Sequence, residues 1–276
     1  MGNPQPMDLK PAEHLGRAQW EVCLRWAFAA MCAAMAWRGF SGDQLFSLLF
    51  ITCDWSESAA MATNRVVAGL FAASGLLVLW LRSWWGPLIV GGLMAGYAVV
   101  TMAAGGAYTA YVPGTWAVRY GAPLGLAVAV WWRSRGQLSR RRMGLILFWL
   151  QAATAATFAL HGLKALDQFP PFQDYLFMAG NRIGVSLSQE LVETMLEVIG
   201  VVDLLVAAIL LIAPRGFRVW VAYYMAFWGF VTAASRTVHS GWPNAHETLL
   251  RMPNGAVPLA LGLFWLSAER ARRDSD

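Results

Sequence analysis

The chain has 276 residues, 58% of them hydrophobic with 26 glycines besides, and only 37 charged side chains (21 Lys and Arg plus 16 Asp and Glu). Soluble domains carry ~45 to 50% apolar and ~25% charged residues, so this composition excludes an ordinary soluble globule and points to an all-α, polytopic membrane bundle. The net charge of +5 does not mark a nucleic-acid partner, because no polar stretch is long enough to fold a basic domain; topology has to account for it.

Residues 1–19 are polar and contain proline, with no apolar core before a small-residue cleavage site, and are expected to be a cytoplasmic N-terminal segment rather than a signal peptide. A crossing helix needs about 20 mostly apolar residues, since its backbone must pair internally. About eight stretches meet this: 20–37, 65–81, 86–104, 116–132, 143–161, 191–213, 217–235 and 253–267. Trp and Tyr crowd their ends, as at headgroup level. The stretches group into a first four-helix unit (20–132), a basic linker (133–142), a second unit (143–268) and a tail (269–276). Glycine pairs Gly92/Gly96 and Gly121/Gly125 are expected at tight helix contacts.

Eight spans place both termini on one side. Fourteen of the 21 cations fall on that side, including five arginines within 133–142, so both termini are expected to be cytoplasmic, in a bacterial inner membrane. The other seven are Arg38, Arg65, Arg119, Lys164, Arg182, Arg236 and Arg251.

The halves match at offsets of roughly 123 to 135 residues: Asp43-Gln44 with Asp167-Gln168, Val100-Thr101 with Val231-Thr232, Arg119 with Arg251, Pro123-Leu124 with Pro258-Leu259. Four spans per unit is an even number, so two parallel repeats are expected, related by an axis along the membrane normal.

Ionisable groups inside a span ask for a partner or a task. Glu190, Glu193 and Glu197 share one helical stripe and would repel without facing cations; His161, Lys164, Arg182, Arg236, His239 and Arg251 lie at the same level. An outward-facing polar cluster is expected, with His161, Lys164, Glu197 and Asp203 as candidate catalytic residues and Glu193, Arg236, His239 and Arg251 as candidate ligand contacts. Asp203, six residues beyond Glu197, is about 240° further around the helix and faces another neighbour. By the duplication, Glu197 stands opposite Arg65. No metal ligand set is specified: Cys23, Cys32 and Cys53 form no CxxC, and His246 with Glu247 is only a pair. The segments 39–64 and 162–185 carry apolar groups such as Phe169-Pro170-Pro171-Phe172 and are expected to fold back as interfacial or re-entrant lids, where a quinone or lipid could enter.

Ala159-Leu160-His161-Gly162-Leu163-Lys164, Leu196-Glu197-Val198-Ile199-Gly200 and Pro258-Leu259 together resemble the DoxX family of four-span membrane proteins over about residues 145 to 268. Residues 20 to 132 look like a degenerate copy, and the stretch 43–80 is distantly similar to the transmembrane domain of the vitamin K-dependent carboxylase-like group. The resemblance implies an antiparallel four-helix unit and, for some members, service as the membrane subunit of a thiosulfate:quinone oxidoreductase. Residue by residue it touches His161, Gly162, Lys164 and Glu197; the first half reads Trp37-Arg38-Gly39 with Arg65 and lacks the His and the Glu.

Three functions are therefore expected to compete: a subunit of a quinone-linked redox complex, a structural or assembly subunit, and a transporter or channel. The lipid bilayer and membrane or peripheral proteins are the expected partners. GxxxxGK[ST], HExxH and GxSxG are all missing from the sequence, so the enzymes they mark are not indicated.

Overall fold

A computed structural model describes residues 11–273, leaving aside the side chains of 11–18, 215, 271 and 272. The outermost parts of the two terminal segments, 1–10 and 274–276, lie outside the described residues, as do the readings made on them. Among the described residues the chain is all helical: α1 (Pro11–Ser41), α2 (Gln44–Ser47) running into a π-helical turn (Leu48–Thr52), α3 (Glu57–Trp80), α4 (Trp85–Ala103), α5 (Val112–Thr115), α6 (Ala117–Ser134), α7 (Arg140–Leu166), α8 (Pro170–Arg182), α9 (Gln189–Ile212), α10 (Arg215–Ser240), α11 (His246–Leu250) and α12 (Met252–Arg273).

Each expected apolar stretch falls almost wholly within one long helix. Helix α1 starts at Pro11 rather than near residue 20, and α12 runs on to Arg273. Hydropathy marks only the part of a helix that would lie in hydrocarbon, and charged turns prolong it beyond. Among the described residues four helices, α3, α4, α7 and α9, are long and apolar enough to cross a membrane, and a fifth span results if Trp242–Leu250 and Met252–Arg270, bent by 41°, count as one.

Helix starts follow the sequence: Ser56, Ser139 and Ser188 each accept a bond from a first-turn amide of α3, α7 and α9. Two C-termini are closed by arginines. Arg25 donates to Val78 O (2.6 Å) and Leu81 O (3.1 Å) beyond α3. Arg218 reaches Leu211 O (3.1 Å) and Ala213 O at the end of α9. Both satisfy carbonyls that a helix end leaves open and place positive charge at the negative end of the dipole.

Helix α1 packs along α3 and α12, and α7 packs along α9 and α6; α4 lies on α6 as α10 lies on α12. The small helices follow suit, α2 resting on α3 and α4, α8 on α9 and α10, α5 on α7, and α11 on α1. The core forms along α1, where Trp20, Leu24, Phe28, Met31 and Met35 are buried at three- and four-residue spacing against Phe71, Met94, Leu126, Leu150 and Leu261. The outer surface is apolar too: Trp26, Val66, Leu76, Phe148, Val198, Leu205, Trp220 and Phe227 are all exposed. A belt of this size fits a lipid solvent.

Close helix crossings use glycines that the pairing rule does not single out. A Cβ on Gly200 would stand 2.8 Å from Gly162 O across α7 and α9, and one on Gly229 would stand 2.5 Å from Asn254 O across α10 and α12. Gly121 and Gly125 do abut Trp149, Ala153 and Leu150. Gly92 and Gly96 face open space, and the close contact of α4 with α6 falls on Gly91, where a Cβ would lie 2.6 Å from Leu124 Cγ.

Candidate functional site

The second half encloses a cavity of about 230 Å³ between α7, α9, α10 and the start of α12. Helix α8 roofs it. Pro170 and Pro171 open this helix, their missing amides costing nothing in a first turn, and Phe172, Tyr175, Leu176 and Ala179 follow at i, i+3, i+4 and i+7, so one face lines the cavity. Phe158, Leu196, Ile199, Val231 and Trp228 complete an apolar wall.

Into this wall are set a few polar groups. The ring of His161 has Nδ1 2.7 Å from Thr157 O. A carbonyl can only accept, so Nδ1 is the donor, and in the neutral ring Nε2 is left as an acceptor on the cavity side. Thr157 is itself fixed: its hydroxyl accepts from Val118 N (3.1 Å) and donates to Gly114 O (3.2 Å), tying α7 to α5 and to the start of α6. Asp203 is 5% exposed, lies close to the Trp228 indole, and keeps Oδ1 without a partner. Asn254 Oδ1 is likewise buried without a partner. The Arg236 guanidinium lies 3.7 Å over the ring of Tyr175 and 5.7 Å from that of Phe172, and its Nε has no partner.

Beside the cavity stands an ion cluster that joins the two halves. Glu247 pairs with Arg251, with Arg38 of α1 (3.6 Å) and with His246 (3.6 Å), while Trp37 packs on His246 with 5.5 Å between ring centroids. Arg119 on α6 is 2% exposed and lies over Trp116 at 4.9 Å, within Coulombic reach of Arg38, Glu247 and Arg251.

Of the eight residues expected at a site, His161, Asp203, Arg236 and Arg251 line the cavity. Lys164 sits one turn beyond His161, its Nζ over the rings of Phe169 (4.6 Å) and Tyr111 (5.9 Å). His239 is behind the roof, edge-on to Tyr175 at 4.9 Å and bonded to Ser240. Glu193 is held by Gln189 (2.7 Å), and Glu197 is exposed on the outside of α9. The glutamate stripe therefore does not face the cations; Glu247 does. Its four-residue spacing to Arg251 was the sequence signal for that pair. Arg38, Trp228, Tyr175 and Asn254 carried no such signal. Among the described residues no three His, Cys, Asp or Glu side chains gather as a metal site.

In the first half, aromatic rings pack together in the core. Phe71 and Tyr97 meet edge-on at 6.2 Å, and Tyr97 stacks on Trp116 at 6.5 Å. The Tyr97 hydroxyl donates to Asp43, which also caps α2 through Leu45 N (3.0 Å). Burial pushes the Asp43 carboxyl above its ordinary range. No family model, no curated relative and no solved structure matches this chain.

Proposed function

We propose that this is an integral membrane protein of about eight spans, built as two parallel four-helix repeats with both termini cytoplasmic, which serves a quinone-linked redox complex by binding the quinone in its second half. The repeat reading is supported by the paired neighbour relations: the main helix contacts within one half have counterparts in the other, and α5 and α11 each pack on the first helix of the opposite half. The DoxX-like residues His161 and Gly162 support the redox reading, and they sit at the cavity and at the α7–α9 crossing.

The observation that carries the function is a roofed apolar cavity holding two separate acceptors, His161 Nε2 and the unpartnered Asp203 Oδ1. That combination fits a flat, lipid-soluble head whose oxygens gain and lose protons. A quinone supplies two-electron, two-proton chemistry when bound; His161 and Asp203 would hold its protons, Arg236 would donate to an oxygen, and Phe158, Phe172 and Trp228 would exclude water. Electrons would pass to a partner protein.

Titration of the detergent-purified protein with decylubiquinone tests this, read by quenching of Trp228 and its neighbours. Saturable binding that weakens at least tenfold in Asp203→Asn and His161→Ala is expected. Binding that is absent, or unchanged in both variants, would refute the reading.

A further inference from the structure

One end of the cavity carries more positive charge than the chain's own acids answer. Arg119 and Arg236 are 2% and 8% exposed, and neither makes a hydrogen bond or an ion pair among the described residues. Arg251 has an acid in Glu247, but Glu247 also serves Arg38 and His246. Asp203, the carboxyl that lines the cavity, lies close to the Trp228 indole instead. Four guanidinium groups thus share one carboxylate, and Lys164 adds to the excess, lying within Coulombic reach of Arg119, Arg236 and Arg251. Cations taken out of water are retained where something opposite in sign meets them.

The way the two free arginines are held says what that would be. Each lies over an aromatic ring, Arg119 over Trp116 and Arg236 over Tyr175. A ring covers the face of a guanidinium and leaves its edge, with the N–H donors, open. Open guanidinium edges match the oxygens of phosphate and carboxylate. Net charge favours the first: four arginines less one glutamate leave three positive charges, of which a single carboxylate would answer one and a phosphate monoester, at about −1.5 to −2, up to two. Arg236 and Arg251 both line the cavity, whose remaining wall is mostly apolar.

We propose that Arg236 and Arg251, with the nearby charge of Arg119 adding to theirs, bind the phosphate head of an anionic amphiphile whose apolar tail lies in the cavity under α8. Basic pockets between membrane helices hold lipid phosphates by this chemistry. The site shares the cavity and Arg236 with the quinone reading but adds Arg251 and the charge of Arg119 where that reading adds His161 and Asp203, so either can fail alone.

The test uses the full chain in a non-ionic detergent, with dodecyl phosphate, inorganic phosphate and dodecanol as probes, followed by calorimetric titration and by the thermal unfolding midpoint. Dodecyl phosphate is expected to bind and raise the midpoint, dodecanol to do neither, and the affinity to fall at least tenfold in Arg236→Gln and a few-fold in Arg119→Gln. Both substitutions remove an unanswered charge, so without phosphate their midpoints should equal or exceed the parent's. Arg236→Lys keeps the charge and loses the fork, and should weaken binding as well. Inorganic phosphate binding as tightly as dodecyl phosphate would support the arginine site and overturn the tail. Dodecyl phosphate binding no better than dodecanol, or equally well in all three variants, would overturn the proposal.

Discussion

Glu247 is where the cationic end of the molecule is most exposed to a single substitution. Its carboxylate faces Arg251, Arg38 and His246, with side-chain exposures of 26% for the acid and 19%, 17% and 14% for the three bases. At about 4 Å and an effective dielectric near 20, one such pair is worth ~4 kcal/mol of Coulomb energy before desolvation is subtracted. Breaking a fully buried pair costs about 3 to 5 kcal/mol, because the abandoned charge stays buried. A group one-quarter exposed belongs at the low end, so Glu247→Gln should cost about 3 kcal/mol. At roughly 2 to 4 °C per kcal/mol for a chain of this order of size, the unfolding midpoint should fall about 6 to 12 °C. Adding Arg38→Gln should restore part of the loss, since it removes one of the cations left without an acid. Thermal unfolding in detergent, with Glu197→Gln as the reference, gives the reading. Glu197 is exposed, and its substitution should stay within about 0.5 kcal/mol of the parent. Equal midpoints for Glu247→Gln and Glu197→Gln, or a larger fall for the latter, would mean that the α9 glutamates hold the cations after all.

Two further outcomes follow from local geometry. Gly229→Ala puts a Cβ against the backbone of Asn254 and Gly255, which cannot swing aside, and should cost about 1 to 3 kcal/mol, whereas Gly96→Ala points into open space and should be neutral or stabilising by up to about 1 kcal/mol; unfolding midpoints of the pair check this, and similar losses would refute the α10–α12 crossing. Asp43 has a carboxyl pKa raised by burial, so its native-state cost is absent below the unfolded value near 3.8 and full above the raised one; Asp43→Asn should therefore gain on the parent more at pH 7.5 than at pH 4.5, and a difference independent of pH would contradict the sign.

Helices could be read from the sequence because twenty apolar residues in a row have few other fates. Their ends could not, since Pro11 to Gln19 and the turns beyond residue 267 are helical without being apolar. Dilution by charge, as with Arg119 and Arg133 in α6, keeps several helices from qualifying as spans on hydropathy alone. The site was half legible. Cations at one level announced a charged end, but the facing of α9 was misjudged. Glu190, Glu193 and Glu197 lie on one stripe, while the buried stripe is Val192, Leu196, Gly200, Asp203, Ala207 and Leu210. In a soluble helix the polar stripe would be known to face out; here both faces are apolar, so hydrophobicity loses its direction. Gly200 was the better guide, since a small residue marks where another backbone comes close.

The packed rings of the first half suggest how the cavity of the second could be closed. Counting back 132 residues from Asp203 gives Phe71, and 131 from Trp228 gives Tyr97, the edge-on pair of the first core. The same offset carries Gly200 to Ala68, which abuts Gly39 as Gly200 abuts Gly162. If the halves descend from one unit, Asp203→Phe with Trp228→Tyr rebuilds the first-half packing inside the second. Burying a Phe side chain is worth about 1.5 to 3 kcal/mol, and the exchange also removes a carboxyl oxygen that has no partner. Some of the gain is lost to imperfect fit, so the double variant should unfold at or a few degrees above the parent, while decylubiquinone binding, read by calorimetry because Trp228 is gone, disappears. A protein that binds as before would show that the ligand lies elsewhere. One that unfolds well below the parent would show that the two cores are not interchangeable, and with that the offset of 132 would lose its structural meaning.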